Sequence, residues 1–292
     1  MASLYTHQSA NVWRTWGLMT VFLVLIMLVG WAASMYFGST TILYVFVGFS
    51  ILLNFFSYWY SDKIALRMSR AIPADEHQYK ALHRMVENLS IAAGLPKPRV
   101  YIIPDAAPNA FATGRDKHHA AVAVTEGLLA RLEPVELEGV IAHELAHIGN
   151  RDILLASVVV VLVGLISLLA DGMARSMLFG GGDRDNRNGL MIALAIIVAI
   201  LAPLLATIIQ LAISRKREFL ADTTAALLTR YPEGLASALE KIALDPRPVT
   251  HASTATAHLY IANPLGGKMN GVRKLFMTHP PAEERIRVLR SL

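Results

Sequence analysis

His143, Glu144 and His147 stand in the stretch His143-Glu144-Leu145-Ala146-His147. On an α-helix four residues turn the chain through about 400°, so the two imidazoles emerge about 40° apart on one face and can share a metal ion. Glu144 lies about 100° beyond His143, where it can reach a water at the metal without displacing a ligand. A third donor stands downstream in Glu218-Phe219-Leu220-Ala221-Asp222, with Glu218 and Asp222 again four apart. Two histidines and one carboxylate leave one open position on a tetrahedral zinc, the pattern of a catalytic site rather than a structural one. Calcium or magnesium would ask for more oxygens and fewer imidazoles. The expected cofactor is one Zn²⁺ per chain, held by His143, His147 and Glu218. The expected reaction is peptide hydrolysis with Glu144 as general base. Asp222 is placed to accept a hydrogen bond from the far nitrogen of a ligating histidine and so fix its tautomer.

The elements that must position these residues follow from composition. The chain has 292 residues, of which 54% are hydrophobic and 17% charged. Soluble domains carry about 25% charged residues, so the deficit makes lipid part of the solvent. There is no cysteine, which excludes disulfide scaffolds, thiolate zinc sites, iron–sulfur clusters and a cysteine nucleophile. The net charge of +5 is modest, and no nucleic-acid partner is expected. The glycine-rich stretch 180–189 lacks the Gly-Lys-Ser/Thr ending of a phosphate loop.

Four uncharged windows account for the bias: residues 18–37, 41–60, 153–170 and 190–213. About 20 apolar residues cross a bilayer core, so four transmembrane helices are expected. Pro203 inside the fourth is tolerated in lipid. The first window is longer than a signal-peptide core and is followed at once by another span, so it reads as a retained anchor. The layout is an N-terminal segment (1–17), two spans (18–60), a block with the two-histidine helix (61–152), a membrane hairpin (153–213) and a tail with Glu218 (214–292). Block and tail fall on one side of the membrane and form one α+β zincin-like domain split in sequence. The fold class is thus a mainly α membrane protein with that domain attached. Lys63, Arg67 and Arg70 follow the second span, and Arg215, Lys216 and Arg217 follow the fourth, which places the domain in the cytoplasm. His147 lies six residues before the third window and Glu218 five after the fourth. If the helices run on without a break, both stand about 8–9 Å outside the membrane at one height.

Within the block, Asp75 and Gln78 suggest a cap for a helix that Gly94 stops. Residues 99–103 and 120–124 read as short strands. Pro134 opens the helix that carries the two histidines, with Leu137, Val140, Ile141, Leu145 and Ile148 on its apolar side. Residues 219–228, 232–244 and 282–292 read as helices. Two other zinc-protease layouts are excluded. Ile153 stands where a metzincin has its third histidine, and Glu133, Glu136, Glu138, Arg151 and Asp152 put the motif helix in water rather than in lipid.

Four segments together resemble the HtpX-type membrane-bound zinc metalloproteases, related to the CAAX prenyl proteases. They are 108–114 (Pro-Asn-Ala-Phe-Ala-Thr-Gly), 143–147, 217–222, and 276–286, which contains His279-Pro280-Pro281 and Arg285. The first 60 residues agree only in having two spans. The resemblance implies a bacterial inner-membrane protease with its active site facing the cytoplasm. It also implies substrates among misfolded or damaged membrane proteins and unfolded polypeptides, degraded under envelope or heat stress. The zinc ligands it implies are the three named above, with Glu144 as base. Asn109 and Ala110 belong either to an edge that holds substrate backbone, with Asn109 near the developing oxyanion, or to a turn after Pro108. His279 is either a group near the metal or a histidine at the start of a helix. The rival from another class is a catalytically inactive, zinc-stabilised membrane adaptor, in which Glu144 is dispensable. A small transporter is disfavoured because the four windows carry no ionisable acid or base.

Overall fold

In the computed structural model, which describes residues 4–179, 215–266 and 280–292, the chain begins with two long antiparallel helices, α1 (Leu4–Phe37) and α2 (Thr40–Met68). They are joined at Gly38, whose φ of 64° lies in the left-handed region that glycine enters without penalty. The apolar stretch Asn11–Met35 of α1 has mean hydropathy 2.3, and α2 has 1.8. Both are long enough to cross a bilayer. Val24, Leu28, Val45, Ile51 and Leu52 are exposed on their outer faces, as lipid contact requires. Trp13, Trp16, Trp59 and Tyr60 cluster at one end, with Trp16 stacked on Tyr58 at 5.7 Å. Trp31 and Tyr44 mark the other end. The separation of Trp16 and Trp31 along α1 is about 22 Å at the helical rise, a spacing suited to two interfacial belts.

The third apolar window lies in α6 (Asp152–Phe179). Its first turns are buried by protein: Leu154, Leu155, Val158, Val159 and Leu162 pack with Met19, Phe22 and Ile26 of α1. The fourth window, 190–213, lies outside the described residues, as does the glycine-rich stretch 180–189. Among the described residues two helices are long and apolar enough to span, or three if the next helix pair counts as one broken span.

That pair corrects the expectation of unbroken helices. The two-histidine helix α5 (Pro134–Gly149) meets α6 at 86°, with the break at Asn150 and Arg151. Arg151 adopts φ 58°, a conformation that costs a non-glycine residue. The height of His147 is therefore not set by the rise of α6. The chain instead turns back, so that Asp152 at the start of α6 faces His147.

A four-stranded sheet lies beside this corner in the order β1-β2-β4-β3. Its strands are β1 (Ile72–Pro73), β2 (Arg99–Ile103), β3 (Ala110–Gly114) and β4 (Ala120–Thr125). β2 and β4 are the two expected strands, and they pair in parallel; β3 runs antiparallel to β4 at the edge. Every residue of β3 and β4 is buried because the sheet has protein on both faces. Ala112, Val122 and Val124 face the core that holds Val140, Ile141 and Leu145 of α5. Phe111, Ala121 and Ala123 face Ala65 and Leu66 of α2 and Val160 of α6. A sheet buried on two sides reads as an unbroken apolar run, as Ala120 to Val124 does.

α3 (Lys80–Ala93) ends at Gly94 in the left-handed conformation (φ 65°), as expected. Its start differs from the expected cap. Asp75 accepts hydrogen bonds from the backbone N–H groups of His77 and Gln78, at 3.0 and 2.8 Å, closing a turn before the helix begins at Lys80. A short helix α4 (Glu126–Arg131) precedes α5. Among the described residues that follow α6, the α-helices are α7 (Arg215–Thr229), α8 (Pro232–Ala243) and α9 (Ala282–Leu289). Gly139 lets α8 close on α5: a Cβ there would stand 2.7 Å from the Leu235 nitrogen.

Candidate metal centre

α5 and α7 each carry a polar face into the interior. His143 is fully buried, and Glu144, Glu218 and Asp222 nearly so. The Nε2 atoms of His143 and His147 are 3.1 Å apart. Glu218 Oε2 is 3.8 Å from the first and Oε1 is 3.6 Å from the second. Tetrahedral zinc with donors at 2.0–2.1 Å sets them about 3.3 Å apart; one ligand atom from each of the three residues lies within 4.8 Å of the others, so the donor set can close on one ion. His143, His147 and Glu218 form the three-donor cluster found among the described residues.

The orientation of each imidazole is fixed from behind. His143 Nδ1 is 2.9 Å from Asp222 Oδ1, and His147 Nδ1 is 3.1 Å from Asp152 Oδ2. A carboxylate on Nδ1 keeps the proton there and leaves Nε2 with its lone pair toward the metal position. Asp222 is itself gripped by Arg285 of α9, whose Nε and Nη2 donate to its two oxygens at 2.9 and 2.6 Å. Nη1 of the same guanidinium donates to the Ile261 carbonyl at 3.0 Å.

The titrations follow from this packing. Burial and the Arg285 charge push His143 down to about 4. Burial also pulls on His147, but the carboxylates of Glu218 and Asp152 outweigh it and hold that imidazole up at about 9. The field that keeps a proton on His147 is the field that favours a dication in its place. Burial raises Glu144 to about 7, with His147 opposing and Glu218 adding to the rise. Burial would raise Asp222 too, yet Arg285 and His143 hold it down at about 2. A carboxyl poised near neutrality suits proton transfer.

The backbone of Ala112, on edge strand β3, also opposes the rise at Glu144. Glu144, His147 and Glu218 line a cavity of about 40 Å³ with Ala112 and His258. A water needs about 10–15 Å³ by such a measure, so the space takes an ion and a water rather than a peptide.

The other sequence candidates fall elsewhere. Ala110 begins β3, and its carbonyl accepts from Ile261 N–H at 3.0 Å. The Asn109 carboxamide is engaged with the backbone of Ala262, donating to its carbonyl at 3.1 Å and accepting its N–H at 3.4 Å. Asn109 lines a different cavity, of about 290 Å³, beside Pro280 and Pro281. His279 lies outside the described residues. Four further groups stand at or behind the site: Asp152, Arg285, His258 and Asn11. In the sequence Asp152 is only a flanking charge and Arg285 only part of a motif, and no spacing assigns His258 or Asn11 a role. No helical spacing links Asp152, Arg285 or Asn11 to the histidines; each arrives across a bend or from another element. A polar Asn11 at the head of an apolar helix was the one available signal.

Residues 76–292 match the family model described as Peptidase family M48. The chain is 51% identical over 298 residues to a protein named Protease HtpX homolog of Thermoanaerobacter pseudethanolicus, covering 99% of this chain and 98% of that one. It is 46% identical to the Protease HtpX homolog of Dictyoglomus thermophilum, with 99% and 95% covered. For that of Pyrococcus furiosus the identity is 51%, with 83% and 84% covered. In fold it is similar to the crystal structure of S. mikatae Ste24p, with TM-score 0.50 and 16% identity over 98% of this chain and 67% of the other. The helical membrane architecture, the His-His-Glu cluster and this relatedness agree: the chain belongs to peptidase family M48, as an HtpX-type membrane metallopeptidase.

Proposed function

We propose that this chain is an integral-membrane zinc endopeptidase acting on misfolded or damaged membrane proteins and on unfolded polypeptide, as quality control under envelope or heat stress. In this reading it crosses a bacterial cytoplasmic membrane four times, and the split domain of residues 61–152 and 214–292 faces the cytoplasm. One observation carries the reading: two imidazoles and one carboxylate converge from two helices, and Glu144 lines a cavity with His147 and Glu218 of that cluster.

His143, His147 and Glu218 hold one zinc per chain. When bound, zinc polarises the scissile carbonyl and brings the pKa of a coordinated water to about 7. Glu144 takes a proton from the attacking water and passes it to the departing nitrogen. Ala112 of β3 lines the cavity beside Glu144. Asp222 and Asp152 hold the two imidazoles in the ligating tautomer, so the donor set is assembled before substrate arrives. The inactive adaptor is not favoured, because the chain matches a peptidase family over residues 76–292 and its nearly full-length relatives are named proteases.

The reading is tested by incubating purified full-length protein in proteoliposomes with unfolded casein and with a membrane protein carrying a destabilised segment. Both are expected to be cleaved, with cleavage lost on chelation and restored by stoichiometric zinc. Failure of zinc to restore cleavage to chelated but folded protein would contradict it.

A further inference from the structure

Asn11 opens the apolar stretch of α1 and is 3% exposed. Its carboxamide meets both halves of the metal centre. Nδ2 donates to Asp152 Oδ1 at 2.6 Å and to the Asn150 carbonyl at 3.1 Å. Oδ1 accepts from Arg217 Nη1 at 3.2 Å. Asp152 uses its other oxygen on His147 Nδ1, and Arg217 is the residue before Glu218. Arg217 Nε also lies 3.7 Å from Asp152 Oδ1. One amide therefore ties together the corner between α5 and α6, the carboxylate that orients His147, and the turn of α7 that presents Glu218.

The residue type fits this place narrowly. The site needs donors toward a carboxylate and an acceptor toward a guanidinium from one short side chain, which an amide supplies. Aspartate has the shape but would set a second carboxylate against Asp152. Alanine would leave Asp152 and Arg217 short of partners in a buried setting. The turn is steadied by Thr15, whose hydroxyl donates to the Asn11 carbonyl at 2.9 Å. Trp13 and Trp16 are exposed just beyond, which sets this contact at the level where α1 enters the lipid.

We infer that the first membrane helix is a working part of the metal centre, with Asn11 as a positioning residue that holds Asp152, and through it His147, in ligating geometry. The inference rests on the zinc reading above. Partners one shell behind a metal ligand change affinity about 10–100-fold. Asn11 stands one bond further out, so a loss of about tenfold, at the lower end of that range, is expected.

The test is the zinc dissociation constant of the full-length chain in detergent, measured by competition with a chromophoric chelator. Glu144→Gln serves as parent to prevent self-cleavage. Asn11→Ala is expected to weaken zinc about tenfold and Asn11→Asp at least as much, while the metal-free unfolding temperature falls less than it does in Phe22→Ala. Phe22→Ala, which removes a fully buried ring of α1 from the apolar cluster around α6, is expected to lower stability and leave zinc affinity within twofold. A parent that binds no zinc would overturn the zinc reading, and this inference with it. A parent that binds zinc and an Asn11→Ala variant that binds it equally well would overturn the inference alone. An equal loss in Phe22→Ala, or failure of both Asn11 variants to fold, would overturn it too, by making the contact a matter of helix packing.

Discussion

Arg285 and Asp222 are a buried ion pair that the rest of the site leans on. Both are about 1% exposed, and three guanidinium donors are spent on Asp222 and the Ile261 carbonyl. Such a pair adds little net stability compared with apolar packing, but breaking it strands a charge in the interior at about 3–5 kcal/mol. Asp222→Asn is therefore expected to destabilise the metal-free protein by about that amount. Loss of the acceptor for His143 Nδ1 should also weaken zinc about 10–100-fold. Chemical unfolding in detergent and metal competition read the two effects separately. A change below about 1 kcal/mol, within the range of an exposed pair, would mean that the guanidinium finds water or another partner. The convergence of His143, His147 and Glu218, and the place of Asp222 behind one imidazole, could be read from the chain because four-residue spacing sets side chains on one helical face. Asp152 and Arg285 could not, since their approach depends on an 86° bend and on a helix 63 residues beyond Asp222.

At the level of elements, the helix that carries His143 and His147 is held at both ends. Its far end is the corner at Asn150. Its near end is Glu136, which accepts the Glu133 N–H at 2.8 Å, Lys241 Nζ at 2.7 Å and the Ser237 hydroxyl, so joining α5 to α8. Burial would raise the Glu136 carboxyl, but Lys241 and Ser237 outweigh it and hold it below the ordinary value. A carboxyl depressed in the folded state stabilises fully above its unfolded value of about 4.3, and that contribution is lost as pH falls through the folded value. Glu136→Gln should then cost about 1–3 kcal/mol near neutrality. The gap between mutant and parent should close below about pH 4. Melting both metal-free proteins across that range tests the sign; a gap that stays constant would assign the effect to shape instead of charge. Most elements were legible from periodicity and punctuation: α3 with Gly94, strands β2 and β4, and α5 opened by Pro134. β3 was less so, because Ala-Phe-Ala-Thr-Gly has no polar alternation when both faces are buried. The break between α5 and α6 carries no proline and only a strained Arg151.

Over the whole molecule, the metal centre sits where the membrane helices end. The sheet wedges between α5 on one face and the ends of α2 and α6 on the other, and α1 reaches the site through Asn11. The absence of cysteine makes the proposed orientation directly testable by labelling single cysteines in intact cells. Lys117→Cys, in the exposed 3₁₀ turn between β3 and β4, should react with a membrane-impermeant maleimide only after permeabilisation. Thr40→Cys, at the turn between α1 and α2, should react before it. The reverse pattern would place the metallopeptidase domain on the outer face.

The central claim is that binding and chemistry divide between neighbours on one helix: His143 and His147 hold zinc with Glu218, and Glu144 moves the proton. The most direct measurement takes zinc content and casein cleavage together on purified Glu144→Gln. One zinc per chain is expected, as in the parent, with cleavage reduced about 10²–10⁴-fold, the usual contribution of a general acid–base residue. Parent-like cleavage by a variant that retains its zinc, or loss of the zinc itself, would contradict it.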